Sequence, residues 1–229
     1  MKKISWVQLC FTFVGVFLGA GFVSGQELWK FFACFGAAGL AGFLVSAVIM
    51  TAAHGALLGL VRSTGEARIG FLMTRGDSSL LRTALLALQY LFLFGVVVIM
   101  IAGAAESLSG LTGLSTILLG AIVTLVIFVL ALCGLQSLVA SFSALVPVIT
   151  VCAVIIAGVV ISGGKGQTAE FAPEASLLRP NWYVSAATYA AYNLFGSLTT
   201  MIPLAEHIPD GKTLRKGLLS GNVVLLLIA

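Results

Sequence analysis

The chain has 229 residues, of which 60% are hydrophobic and only 9% charged, and its mean hydropathy is +1.14. A soluble globule has too little interior to hide that much apolar surface, so the composition excludes most soluble classes and fits an all-α, polytopic membrane bundle of about seven spans at about 20 residues each. The net charge of +4 does not indicate nucleic acid, because Lys and Arg form no run or basic helix face, and Cys10, Cys34, Cys133 and Cys152 lack the spacing of a metal site or disulfide framework.

Backbone groups in lipid must be satisfied internally, so the apolar runs are read as helices. The first runs from Ile4 to Phe35 behind Lys2 and Lys3. Its start has the outline of a signal peptide with Leu18-Gly19-Ala20 as cleavage site, but the apolar pattern continues through Phe22 and Val23. The second span is Ala37 to Val61. Arg62 to Arg82 interleaves arginines and acids with Ile69, Phe71, Leu72 and Met73, the pattern of a short helix lying on a membrane surface. Spans three to five are Thr83 to Ala105, Leu114 to Leu132 and Phe142 to Ile161. Ser162 to Pro180, rich in Gly and Pro, is the one long loop. The sixth span is Trp182 to Glu206. A seventh begins near Gly217, and its thirteen residues to Ala229 reach only about 20 Å, so the expectation is a chain that stops inside a helix of a longer protein.

With an inner N-terminus, the inner segments collect Lys2, Lys3, Arg62, Arg68, Arg75, Arg82, Lys212, Arg215 and Lys216, and the outer ones only Lys30, Lys165 and Arg179. That asymmetry predicts a multi-pass protein of the cell membrane with a cytoplasmic N-terminus. Trp6, Trp29, Trp182 and Tyr183 fall at span ends, where interfacial anchors belong.

Thirty-two residues from Ile4 to Phe35 would make a helix of about 48 Å, too long for a simple crossing. The segment Gly19-Ala20-Gly21-Phe22-Val23-Ser24-Gly25-Gln26-Glu27 puts three glycines and three polar side chains in its middle, which predicts a break. Unwound backbone at that depth is tolerable only where it is buried or lines water, and such half-helix ends bind ions and charged solutes. The sixth span repeats the design at Tyr192-Asn193-Leu194-Phe195-Gly196-Ser197-Leu198-Thr199-Thr200, with Pro203 beginning a second piece. Broken first and sixth helices are what a five-plus-five inverted repeat produces, with the site between the breaks.

Gly19-Ala20-Gly21-Phe22 is similar to the Gly-Ser-Gly-Ile-Phe signature in the first helix of amino acid/polyamine/organocation transporters. The string from Gly19 to Glu27 resembles the first helix of the YkvI family of uncharacterised bacterial membrane proteins. In layout the resemblance covers the whole chain, but its specific motif is confined to this segment and, more weakly, Tyr192-Asn193. It implies a LeuT-like fold of about ten helices, here truncated in the seventh, in which helices one and six cradle the substrate. The eighth helix, which supplies hydroxyls to a sodium site in sodium-coupled relatives, lies outside this chain, and the fifth span lacks the lysine that replaces sodium in some proton-coupled ones. The coupling ion is open between Na+ and H+.

The expected function is therefore secondary transport of a small solute, an amino acid or related amine, with the lipid bilayer as surroundings and no further cofactor. The candidate binding residues are Gly19, Ala20, Gly21, Ser24, Gly25, Tyr90, Asn193, Gly196 and Ser197. Glu27 reads equally as the ion- or proton-coupling carboxylate and as an interfacial partner of Lys30. Gly21 and Gly25 also fit small-xxx-small helix packing, and Asn193 and Ser197 fit an interhelical hydrogen bond. Gln89 and Tyr90 lie early in the third span, His54 reads as a satisfied buried histidine more readily than as a proton relay, and Glu106 and Glu206 read as interfacial. An enzyme is not expected. Val23-Ser24-Gly25 resembles the rhomboid Gly-x-Ser-Gly loop, with His54 as base, but the preceding glycine is Gly21, three residues back. A channel needs polar rings along a pore, whereas the polar groups here cluster at two levels.

Overall fold

The fold is taken from a computed structural model that describes residues 3–18, 22, 25–74, 79–163 and 180–228. All the regular structure among them is helical. Helix α1 (Trp6–Phe17) opens with a capping box: the Gln8 N–H donates to Ser5 Oγ at 3.2 Å and the Ser5 N–H to Gln8 Oε1 at 3.0 Å. It stops at Leu18, Phe22 is helical, and α2 (Gln26–Phe31) starts behind a turn at Gly25; the rest of the expected break, Gly19, Ala20, Gly21, Val23 and Ser24, lies outside the described residues. A 3-10 turn at Ala33–Phe35 reverses the chain into α3 (Ala37–Thr64).

The following polar connection holds α4 (Ile69–Met73), a single turn where a surface helix is expected. Beside it the Arg68 guanidinium binds the Glu66 carboxylate at 2.7 Å and holds its pKa down to about 2, so this exposed pair stays charged through the neutral range. Helix α5 (Ser79–Thr112) is about 51 Å long. Helices α6 (Thr116–Leu132) and α7 (Gly134–Ser162) follow, then α8 (Trp182–Ala205) and α9 (Gly211–Ile228). The Asp210 carboxylate accepts the Thr213 N–H at 2.6 Å ahead of α9, and that bond lowers its pKa.

Helices α3, α5 and the Gly134–Val160 part of α7 are each long and apolar enough to cross a membrane. The core lies among α1, α3, α8 and α9, where Leu9, Phe13, Phe17, Met50, Tyr189 and Met201 are buried together. Helices α5 and α6 contribute almost nothing to it: Gln89 and Ala105 are the buried residues of the first and Leu119 that of the second. Their Leu, Ile, Val and Phe side chains face outward, an arrangement costly in water and natural against lipid tails.

Two departures from the sequence reading concern α8 and α9. The sixth span is one continuous helix from Trp182 to Ala205, not a broken one. Its polar side chains bond to their own helix instead of replacing it: Asn193 Nδ2 donates to the Tyr189 carbonyl at 3.0 Å, and Ser197 Oγ lies 2.8 Å from the Leu194 carbonyl. Pro203 falls in the last turn, where its missing N–H frees only one carbonyl. Helix α9 begins at Gly211, six residues before the expected Gly217. That glycine instead packs on α1: a Cβ at Gly217 would lie 2.6 Å from Leu9 Cδ2, and one at Gly221 2.6 Å from Phe13 Cδ1. The small-xxx-small seam is thus here, four residues apart on α9.

The start of the chain is tied to the α8–α9 connection, where the Ile4 N–H donates to the His207 carbonyl at 3.0 Å and Arg62 donates to the Pro209 carbonyl at 3.3 Å. At the opposite end of α3, a Cβ on Gly39 would lie 1.8 Å from the Phe32 carbonyl oxygen, a backbone atom that cannot rotate away. Gly39→Ala is therefore expected to destabilise the fold by about 2 kcal/mol through overpacking. Gly59→Ala, with nothing within 4 Å of the added methyl, is expected to leave stability unchanged or slightly raised. Unfolding curves of the two variants in the same detergent measure the difference.

Candidate functional site

The break between α1 and α2 removes helix from one wall of a cavity that α5 and α8 complete. Two adjoining chambers occupy it. The inner one, of about 90 Å³, is lined by Val16 and Phe17 from the end of α1, Glu27 from α2, Phe92, Leu93, Val96 and Met100 from α5, and Tyr192, Asn193 and Gly196 from α8. The outer one, of about 790 Å³, shares Glu27, Phe92, Val96, Met100 and Tyr192 and extends past Lys30 to Glu106 and Ser107 near the end of α5. Both are mainly apolar, with a few polar groups placed among aromatic rings, which is the usual make-up of a small-molecule site.

Local sequence explains each wall. Gly25 caps α2 with φ +76°, a left-handed conformation that glycine adopts without cost, and it turns the chain so that Glu27 stands over the gap between α1 and α8. On α5, Phe92, Val96, Met100 and Gly103 recur at helical spacing and form one stripe toward α8. Phe92 packs edge-on against Tyr192 and Phe195, with ring centroids 5.7 and 5.2 Å apart. The charged groups of the cavity are two carboxylates, Glu27 and Glu106, and the ammonium of Lys30, and only Glu27 reaches both chambers.

The structure brings Glu27, Asn193 and Gly196 together at the inner chamber and separates other expected site residues from it. Gly19, Ala20, Gly21 and Ser24 lie outside the described residues. Tyr90 is 64% exposed on the outward side of α5 and lines neither chamber. Its neighbour Gln89 turns inward instead: it is 1% exposed, and its Nε2 donates to the Phe195 carbonyl of α8 at 2.6 Å. Glu106 belongs to the rim of the outer chamber, while Glu206 ends α8 and is exposed.

Ser197 also leaves the cavity and joins His54 in the core. His54 Nδ1 lies 2.8 Å from the Met50 carbonyl, which can only accept, so this nitrogen carries a proton. Nε2 lies 2.7 Å from Ser197 Oγ, whose one proton is shared between this nitrogen and the Leu194 carbonyl. Phe13 and Phe17 close the ring off edge-on at 5.3 and 5.7 Å. The pair ties α3 to α8 with both side chains wholly buried, and it touches neither chamber. His54 is thus the satisfied buried histidine that its isolation suggests.

Several cavity residues carry no sequence signal. Phe92, Val96, Met100 and Tyr192 are apolar or aromatic residues in apolar helices, where nothing distinguishes a cavity-facing position from a lipid-facing one. Among the described residues, no group of three or more His, Cys, Asp or Glu side chains converges as metal ligands would. Ser197→Ala leaves His54 Nε2 buried without a partner and is expected to cost about 1 kcal/mol, the scale of interhelical hydrogen bonds in membranes. Tyr90→Phe is expected to cost nothing. Reversible unfolding of both variants separates the two roles.

The first-helix resemblance has a counterpart over nearly the whole chain. No family model and no solved structure matches it. It is, however, similar to the uncharacterized membrane protein YkvI of Bacillus subtilis strain 168, at 27% identity over 235 residues that take in 99% of this chain and 65% of the relative's length.

Proposed function

We propose that this protein is a secondary active transporter that carries a small solute, an amino acid or related amine, by alternating access around the two-chamber cavity. The observation that carries the reading is the placement of Glu27, in the first turn of α2, where its carboxylate reaches both an inner chamber of single-solute size and the outer chamber. Ionisable groups inside a membrane are expensive and are kept where they meet substrate, ion or proton.

In this reading the amine of the solute meets Glu27 and the Asn193 side chain, and its carbon skeleton lies on Phe92 and Tyr192. The charge asymmetry of the loops puts the Glu106 mouth on the outer side and the N-terminus in the cytoplasm of a plasma-membrane protein. Glu27 is also the group that holds the coupling ion, whether Na+ or H+. The inner chamber begins on α5 at Phe92, one turn after the Gln89 contact with Phe195, and this closed end favours a carrier over a channel. The Ser197 and His54 pair lines neither chamber and offers a bound solute no nucleophile and base, and we do not read the protein as an enzyme. The LeuT-like arrangement rests on the broken first helix and the span layout, since α8 is unbroken.

The test is uptake of labelled amino acids and amines into proteoliposomes containing the full-length protein. Wild type is expected to accumulate at least one of them against its gradient. Glu27→Gln is expected to reduce that uptake at least about tenfold, the loss of one charge-assisted contact. Asn193→Leu, which fills the inner chamber, is expected to abolish it. Folded protein that transports none of the panel would overturn the assignment, and undiminished uptake by both variants would displace the site.

A further inference from the structure

Gln89 occupies an unusual position for an amide. It is buried in a helix that otherwise buries almost nothing, and it precedes Phe92, Leu93 and Val96 on one stripe of α5, one turn beyond the residues lining the inner chamber. Its Nε2 donates to the carbonyl of Phe195, immediately before the chamber-lining Gly196 on α8. Its other polar atom, Oε1, is buried with no hydrogen-bond partner among the described residues. The closed contact between α5 and α8 therefore satisfies half of the side chain and strands the other half. A purely structural contact would be better served by leucine, which leaves no orphan acceptor.

We propose that Gln89 is the gate of the cavity: its bond to the Phe195 carbonyl closes the floor between α5 and α8, and its stranded oxygen keeps that closure reversible. When the two helices part, water enters between them and both ends of the amide are hydrated, so the open state recovers what the closed state withholds. The contact lies at the end of the inner chamber away from Glu106, eighteen residues or about 27 Å back along α5 from Ser107. Opening there while the Glu106 mouth closes gives a solute a second exit. The gate extends the transporter reading and rests on it for its purpose, though not for its mechanics.

The mechanics make predictions of opposite sign. Gln89→Leu gives up the bond to the Phe195 carbonyl together with the orphaned oxygen, and its apolar side chain has nothing to gain from water, so burial holds the floor closed. Gln89→Glu, at a pH where the carboxylate is ionised, sets acceptor against acceptor at the Phe195 carbonyl and buries a charge, so it holds the floor open.

Amide hydrogen exchange of the full-length protein in lipid nanodiscs reads the difference at residues 86–89 and 195–200, each variant compared with wild type at the same pH. Exchange there is expected to slow about tenfold in the leucine variant and to quicken about tenfold in the glutamate variant. Faster exchange in both variants would mean simple loss of packing and would overturn the proposal, as would no change in either. Parallel uptake assays keep the two readings apart. Opposed exchange shifts without uptake of any solute would leave the gate and remove the carrier, whereas uptake with unresponsive exchange would do the reverse.

Discussion

Hydrocarbon offers no hydrogen bonds, and the arrangement of this protein follows from where its polar groups find substitutes. Main-chain groups find them within the helices. Side chains inside the bundle find them on neighbouring turns or neighbouring helices: His54 on Met50 and Ser197, Asn193 on Tyr189, Ser185 on the Phe31 carbonyl, and Asn222 on Thr51 and the Ala47 carbonyl. Each crossing bond fixes a register between two helices that apolar packing alone would leave free to slide. Two departures from this rule lie at the cavity, where Glu27 faces open space and Gln89 meets a partner with one atom only; Asn222 Oδ1 and His207 Nδ1 are the others among the described residues.

Three of the expected spans were legible because length and hydropathy carry them, and α1 ends at Leu18, just ahead of the glycines that predict a break. The same reasoning failed for the sixth span. Asn, Ser and Thr look like helix breakers in a hydropathy profile, yet each can bond a carbonyl one turn back, and a helix supplied with such bonds has no need to open. Whether it opens depends on which neighbours its side chains meet, and that is a tertiary fact.

The site was legible in part for a related reason. Glu27, Asn193 and Gly196 stand out as polar or small residues in apolar surroundings, and they do gather at the inner chamber. The choice between Gln89 and Tyr90 could not be made in the same way. Adjacent residues on a helix point about 100° apart, and in a span that is apolar on every side no periodicity says which direction is inward. The α5 wall was invisible for the same reason, since Phe92, Val96 and Met100 suit lipid as well as they suit a cavity.

The glycine seam of α9 bears on motion as well as packing. With Gly217 against Leu9 and Gly221 against Phe13, and with Ile4 bonded to the His207 carbonyl, the first helix is moored along its length to the segment that follows α8. The His54 and Ser197 bond joins α3 to α8 within the same block. Helix α5, by contrast, touches α8 through few residues, and its longest shared face is with α6. The molecule is therefore divided mechanically along the cavity itself, into a cross-braced body of α1, α3, α8 and α9 with α7 packed on α1, and a lightly attached panel of α5 and α6, and the plane of least resistance to shear passes between Gln89 and Phe195.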